Sequence, residues 1–416
     1  MKTTTFLIIG AGISGITLAA ELKKRNISFI LLESDENPGG RIQTKQISSF
    51  PIELGAARLL SAHKRTLGLV KTLNLELSEH INDSASIFWN DTFYSDIDDL
   101  VKQLEEVDPL EELNKFLIKE GILNLADFER LQPAEWDAIL FKNWLADKGI
   151  AFEPTKLYFL GDIDLMLEQT TLYEAAFCYL SNMTDTEDKV YRLKNGMIGI
   201  VNGLVEKNQL EILFNQKVLK IENCDLGFKV HTSTELYTAK NIVVTSSLSS
   251  LEKVMLPDEI QSELKRYLTF GGYGKCIKGY FTLKEGDLSN KFKDYILTDE
   301  PFRIIKHSAN VFEWYLLSLK KEWGHSEICD RLNSYFGQKD IQEIYIQDYN
   351  DARFNGCYWV YNKGFFHKIY ELKKTVQLGG QFYAIGEHFS SNPNWIEGSL
   401  ESVENLLTIL DSNKNN

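Results

Sequence analysis

The sequence predicts an α/β fold in which a Rossmann-like dinucleotide-binding domain is interleaved with a domain made of a mixed sheet and a helical insertion. Three observations predict it. Residues 5–9 form an apolar run that leads into Gly10-Ala11-Gly12-Ile13-Ser14-Gly15, the helical spacing Ile16, Leu18, Ala19, Leu22 follows, and the apolar run 29–32 closes a βαβ unit. Strand-like runs return far along the chain, at 212–245 and 382–385. The stretches between these returns have a different character, as an inserted domain would.

In the first unit Gly10 permits the tight turn, Gly12 lets backbone N–H groups approach a pyrophosphate, and Gly15 allows helix and strand to pack closely. The helix N-terminus, with Ile13 and Ser14 in its first turn, favours the negative charge. Glu33 stands 21 positions after Gly12 at the end of the second strand, where a carboxylate accepts ribose hydroxyls, with Ser34 beside it. By itself this loop serves NAD and FAD equally well.

Residues 61–193 are rich in Leu, Glu and Lys with three- and four-residue apolar spacing, as at Leu100, Val101, Leu104 and Val107, which predicts a mostly helical insertion. After Asn195-Gly196 a helix precedes strand-like runs at 212–214, 217–221, 228–231 and 242–245. A second departure carries strand-like runs at 277–283 and 313–319 and a helical pattern at 327–336. The run 382–385 gives another buried strand, and a final helix follows Asn394. The dinucleotide domain is therefore expected from 1–60, 194–256 and 370–416, and the substrate domain from 61–193 and 257–369.

Composition narrows the partners. The 416 residues, 44% hydrophobic, bury a sizeable core, and a net charge of -14 disfavours nucleic acid and anionic membrane, because phosphate binding needs positive surface. The five cysteines lie far apart with no C-x-x-C pair, which fits a reducing cytoplasm. Lys2 and the apolar run 6–20 imitate a signal peptide, but Gly10, Gly12 and Gly15 interrupt it, and no other segment reaches the roughly 18 apolar residues of a membrane span. The seven histidines show no metal-ligand spacing and no G-x-S-x-G elbow occurs, so neither a metal nor a serine nucleophile is expected.

Further motifs choose the cofactor. Gly39-Gly40-Arg41, Glu53-Leu54-Gly55-Ala56-Ala57-Arg58, and Gly386-Glu387 with Trp395-Ile396-Glu397-Gly398-Ser399 follow one another along the chain. In that order, with the glycine loop, they resemble the flavin amine oxidase and L-amino-acid oxidase superfamily, covering both ends of the chain well and the middle in patches. The resemblance implies an FAD-binding domain of the amine oxidase type, and FAD rather than NAD. It places Gly40 and Arg41 at the pyrophosphate region and Gly55, Ala56, Ala57 and Arg58 along the flavin ring. Val218 would meet adenine through its backbone, with an ordinary core valine as the alternative. Gly386 and Glu387 would reach ribitol or phosphate groups, with Trp395 and Ile396 beside the flavin.

Within the superfamily Arg58 discriminates. Simple amine oxidases usually lack an arginine there, whereas amino-acid oxidases pair one with the substrate carboxylate, which a planar guanidinium binds bidentately. An arginine paired with a protein acid or a cofactor phosphate is the alternative. The stretches 52–58, Ile277-Lys278-Gly279-Tyr280, Trp314-Tyr315 and Trp395-Ile396-Glu397-Gly398 are most similar to the tryptophan oxidases of the group. That likeness implies an α-amino acid substrate, Lys278 near the flavin N5, Tyr315 on the same carboxylate as Arg58, and Asn394 and Trp395 beside the substrate. Tyr358 or Trp359 would form an opposing aromatic wall. Lys275 also fits the lysine position. Cys357, in Asn355-Gly356-Cys357-Tyr358, is similar to the monoamine oxidase cysteine that bonds to the flavin, but amino-acid oxidases generally lack it. Non-covalent FAD is expected, with a Cys357 link as the alternative.

The expected reaction is FAD-dependent oxidation of an L-α-amino acid, tryptophan-like by resemblance, to the imino acid with O2 reduced to hydrogen peroxide. The residues leave open a primary or polyamine oxidase, a flavin amino-acid monooxygenase and a non-oxidase flavin-binding protein. Partners are then the small-molecule amino acid and O2, and a homodimer is compatible with the resemblance.

Overall fold

The structure, a computed structural model, describes residues 2–47, 50–80, 85–96, 100, 108–151, 169–183, 189–284, 292–298, 302–308, 310–318, 323–337, 341–349, 356–372 and 377–412. The opening strand Lys2–Ile9 is buried continuously at Phe6, Leu7 and Ile8, as a central parallel strand covered on both faces must be. It runs parallel to Phe29–Leu32 on one side and to Leu236–Val244 on the other. Beyond Leu236–Val244 the sheet divides. The antiparallel pair Gly227–Thr232 and Val218–Cys224 borders its first half, and Phe382–Ala384 runs parallel to its last three residues. Four parallel strands therefore end on one edge, at Ile9, Leu32, Val244 and Ala384. In open α/β sheets ligands bind outside such carboxyl ends.

The helix Ile13–Lys24 connects the first two strands, and Ile396–Ser412 and Ile198–Lys207 pack beside it. Apolar residues of this sheet and of the helices Pro109–Lys119, Leu125–Leu131, Phe141–Asp147 and Leu172–Met183 form one core.

A second sheet is built around Gly271–Leu283, with Val311–Ser318 along one edge and Ile341–Asp348 and Tyr358–Tyr361 sharing the other. Phe302–Lys306, Tyr295–Thr298, Ala85–Trp89 and Thr92–Tyr94 extend it. Its core is separate and aromatic, with the rings of Phe281 and Phe312 stacked at 5.1 Å and Trp314 and Phe336 buried among them.

Two expectations need correction. Residues 61–193 hold the helices their spacing predicts, but also the strands Leu77–His80, Ala85–Trp89, Thr92–Tyr94 and Val190–Leu193. Ala85–Trp89 combines β-branched and aromatic residues that fit a half-buried pleat, and it pairs parallel with Tyr295–Thr298 from a segment some two hundred residues away. Leu100 is buried, while Val101, Leu104 and Val107 lie outside the described residues. The run 212–214 is no strand: only Leu213 bridges Leu32, because Asn215 takes a positive φ of 58° and turns the chain at once.

Candidate active site

The carboxyl edge of the first sheet opens into one elongated cleft that continues to the second sheet. At its start, Gly10 adopts φ +107°, and a Cβ on Gly15 would stand 2.0 Å from the Gly10 carbonyl, so helix and loop touch only because both are glycine. Gly12 differs: a Cβ there meets nothing within 4 Å. The space over the helix N-terminus is open, and no side chain caps that helix. An uncapped first turn containing Ile13, Ser14 and Gly15 beneath open space suits a pyrophosphate.

Glu33 is buried and oriented by the protein. Its Oε2 accepts from Ala11 N at 2.7 Å, and its Oε1 accepts from Ser34 Oγ at 3.1 Å and Asp35 N at 3.0 Å. A carboxylate has about four acceptor sites, so capacity remains for a ribose hydroxyl. Val218 lines the same end, beside Gln216 and Thr245, which sequence reasoning missed. Thr245 donates its hydroxyl to the Gly10 carbonyl at 2.8 Å. The readable signal was its place, at the end of a strand parallel to the one carrying the glycine loop.

Farther along, Gly39 and Gly40 take φ +111° and +58°, and Gly39 N donates to Ala11 O at 2.8 Å, which brings Arg41 into the cleft wall. A Cβ on Gly55 would stand 1.7 Å from the Arg41 carbonyl, so the two motifs pack backbone to backbone. Arg41 donates to Glu387 Oε1 at 2.9 Å and to the Cys357 carbonyl at 2.5 Å. Burial alone would raise the Glu387 carboxyl, but Arg41, His388 and the Asn394 N–H hold it at about 2. Gly386, Glu387, Ala56, Trp395 and Ile396 line the cleft.

At the second sheet the alternation of the strand Gly271–Leu283 decides between the two lysines. Cys276 and Lys278 face the cleft, whereas Ile277 faces the aromatic core and Lys275 is not in the lining. The Lys278 ammonium donates to Gly55 O at 2.7 Å and pairs with Glu313 Oε1 at 2.7 Å. Glu313 is 1% exposed; burial opposes its charge, but Lys278, His307 and Arg192 hold it well below the usual carboxylate range. His307 Nε2 lies 2.6 Å from the carboxylate, with Arg192 against Nδ1. Arg192 Nη1 also lies 2.6 Å from Nε2, so arginine and carboxylate both crowd this ring. Burial pulls its pKa down. The sequence reading missed Glu313, His307 and Arg192 because they meet only in the folded sheet.

Tyr315 is the cross-strand neighbour of Lys278. Arg58 Nη2 donates to the Tyr315 hydroxyl at 3.3 Å and Nη1 to that of Tyr295 at 2.9 Å. Burial works against the guanidinium, yet the two phenol oxygens and the more distant Glu313 hold its pKa well above the ordinary value. Among the described residues no carboxylate lies within ion-pair distance of Arg58. Ala57, Arg58 and Tyr315 are not in the cleft wall itself, although Ala56 and Lys278, their neighbours in sequence and across the strands, are. Tyr295 is a further residue the motifs did not flag.

Two aromatic expectations separate. Trp395 and Tyr358 line the cleft, and Trp395 also packs edge-on against His63 at 4.6 Å. Trp359 instead packs against Tyr273, Tyr361 and His388 in the core, so it is no opposing wall. Asn394 borders the cleft, but its amide clasps the Trp359 backbone from both ends, accepting at 2.5 Å and donating at 3.1 Å. It thereby helps to hold the strand Tyr358–Tyr361 in place. Tyr349, whose hydroxyl donates to Leu54 O at 2.8 Å, and Cys276 complete this wall. Among the described residues no cluster could hold a metal and no helix is long and apolar enough to cross a membrane.

Set beside known proteins, the chain matches the family of flavin containing amine oxidoreductases over residues 13–363. It is similar to a pseudooxynicotine dehydrogenase of a Pseudomonas species, 19% identical over 68% of this chain and 59% of that one. The chain thus spans about three fifths of the length of the first curated relatives it matches. It is also similar to the flavin-dependent L-tryptophan oxidase of Lentzea aerocolonigenes, 21% identical over 95% of each chain. A double mutant of putrescine oxidase shares the fold, with a TM-score of 0.79 at 16% identity over 99% of both chains.

Proposed function

The chain belongs to the flavin containing amine oxidoreductase family, an FAD enzyme acting on amines or amino acids, and from that premise we propose that its substrate is an L-α-amino acid with an aromatic, tryptophan-like side chain. The product is the imino acid. FAD held in this cleft would supply a two-electron acceptor that O2 can reoxidise, with hydrogen peroxide as the by-product.

The observation that carries this reading is the state of Arg58. A partly buried guanidinium hydrogen-bonded to two phenols, with no carboxylate in reach among the described residues, retains an unmatched positive charge. Low-dielectric surroundings penalise such a charge unless an anion completes it, and a substrate carboxylate does so bidentately. Tyr315 adds its hydroxyl to the same anion, and Lys278, opposite it, is fixed by Gly55 and Glu313. Trp395 and Tyr358 would flank the side chain and exclude water. The full-length likeness to an L-tryptophan oxidase supports an aromatic substrate.

The likeness to putrescine oxidase supports a second reading, a primary or polyamine oxidase that needs no carboxylate anchor. Anaerobic mixing with a panel of amino acids and amines separates the two. Bleaching by an amino acid, lost in Arg58→Ala, is expected; bleaching by amines alone, or an unaffected variant, sinks the amino-acid reading. Product mass then distinguishes keto acid from the amide of a monooxygenase. Stoichiometric flavin with neither bleaching nor peroxide would leave a non-oxidase flavin protein.

A further inference from the structure

Two cysteines share the wall of the cleft where the second sheet meets it. Gly274 and Tyr358 form the last register pair between the strands Gly271–Leu283 and Tyr358–Tyr361, and Cys357 N donates to the Gly274 carbonyl at 3.0 Å. Cys276 lies two residues beyond that pair and Cys357 one residue before it, so they sit diagonally across the same two chains. Gly356, at φ +115°, breaks the alternation immediately before Cys357. Both side chains join one small cluster with Tyr315 and Tyr349, both line the cleft, and their sulfurs are within hydrogen-bonding reach.

We propose that Cys276 and Cys357 are a modification site, a dithiol pair that hydrogen peroxide converts to an intramolecular disulfide in the wall of the flavin cleft.

The division of labour follows from the surroundings. The Cys276 thiol donates to Cys357, and although burial opposes charge on Cys357, Arg41 and Lys278 add to the donated bond and lower its pKa. The same bond, with burial, pushes the Cys276 thiol well up. The thiolate is the form that attacks peroxide, so Cys357 is the attacking sulfur and Cys276 the resolving one. In the first step the Cys357 sulfur attacks one peroxide oxygen, the O–O bond breaks, and the departing hydroxide takes a proton to become water, leaving a sulfenic acid. In the second, the Cys276 sulfur attacks the Cys357 sulfur, an S–S bond forms, the S–O bond breaks, and the hydroxyl leaves as water with the Cys276 proton. Two thiols lose two electrons and one peroxide becomes two waters. Neighbouring antiparallel chains bring Cα atoms within the separation a disulfide spans.

That the peroxide arises in this same cleft rests on the proposed oxidase activity; the pairing itself does not. The test therefore has two arms on the FAD-loaded protein, one with added hydrogen peroxide and one with substrate and O2, with and without catalase. Non-reducing peptide mapping reads out a linked pair of peptides, those bearing Cys276 and Cys357, lighter by two hydrogens and released by a thiol reductant. With added peroxide the linked pair is expected in the wild type. In Cys276→Ser the linked pair is absent and dimedone traps Cys357, whereas Cys276 in Cys357→Ser is labelled at least tenfold more slowly. Absence of the linked pair with added peroxide, equal labelling in the two variants, or a Cys357 peptide carrying the mass of flavin overturns the proposal. A linked pair with peroxide but not during turnover leaves the site standing and counts against the oxidase reading.

Discussion

At the residue scale, the chemistry turns on two cations with opposite surroundings. Arg58 has phenols and, among the described residues, no near carboxylate, and Lys278 has a buried carboxylate at 2.7 Å. For Arg58 the expected consequence is functional. Removing one partner of a desolvated charge pair costs about 2–5 kcal/mol, so Arg58→Ala should lower kcat/KM for the amino-acid substrate by roughly two to three orders of magnitude. Arg58→Lys should recover little, because a point charge lacks the planar fork. Steady-state kinetics with the best substrate of the panel checks both. For Lys278 the consequence is first structural. Glu313→Gln leaves a buried ammonium bonded to Gly55 O without its counter-charge and should destabilise the protein by about 3–5 kcal/mol. Lys278→Met combined with Glu313→Gln should regain part of that loss, since the buried ammonium goes with its partner while Arg192, the more exposed cation, still loses the carboxylate. Urea midpoints of the three variants test the order; a double variant no more stable than Glu313→Gln would contradict it.

At the scale of elements, the turn from Lys2–Ile9 into Ile13–Lys24 separates folding from binding within six residues. Gly15 is structural, since an added methyl would collide with the Gly10 carbonyl at 2.0 Å. Gly12 has ordinary backbone angles, φ −72°, and nothing within 4 Å of an added Cβ. Gly15→Ala should therefore lower Tm and soluble yield. Gly12→Ala should keep the native circular dichroism and thermal midpoint of the apoprotein yet retain at least tenfold less FAD, because its methyl would stand where the pyrophosphate approaches. Flavin absorbance per protein after gel filtration measures it, and full flavin content in Gly12→Ala would remove the phosphate from this turn. The glycine motif was legible because its requirement is local. The strands of 77–94 were not, because Ala85–Trp89 becomes a strand only by finding its partner Tyr295–Thr298.

At the scale of the whole molecule, acid sensitivity follows from two buried groups, His63 and Glu387. Burial lowers His63 to about 4 against the opposing pull of Glu397, so the folded protein refuses a proton that the unfolded chain accepts below about 6.5. That contribution is absent above pH 6.5 and destabilises progressively as pH falls toward 4. Glu387, held at about 2, contributes stability that is full above about 4.5 and is lost as pH falls toward 2. Each shift corresponds to about 3 kcal/mol at its acid limit. Chemical denaturation between pH 3 and 8 should show stability falling continuously below pH 6.5. His63→Gln should flatten the upper part of that slope and Glu387→Gln the lower part. A wild-type profile flat from pH 4 to 6.5 would contradict the His63 assignment.

What the sequence determined by itself is whatever depends on short-range covalent spacing: the βαβ unit, the glycine turn, Glu33 after the second strand, and the ordered motifs that implied FAD and singled out Arg58. Those constraints act through backbone sterics and nearest neighbours, so they are written in consecutive residues. Only the tertiary structure decided which residues meet across the sheets. It turned Lys278 rather than Lys275 to the cleft, set Glu313, His307 and Arg192 behind it, assigned Tyr358 to the wall and Trp359 to the core, and brought Cys276 beside Cys357. Each of those outcomes depends on strand register and on which face of a pleat a side chain takes, and register is set by pairing between segments far apart in the chain.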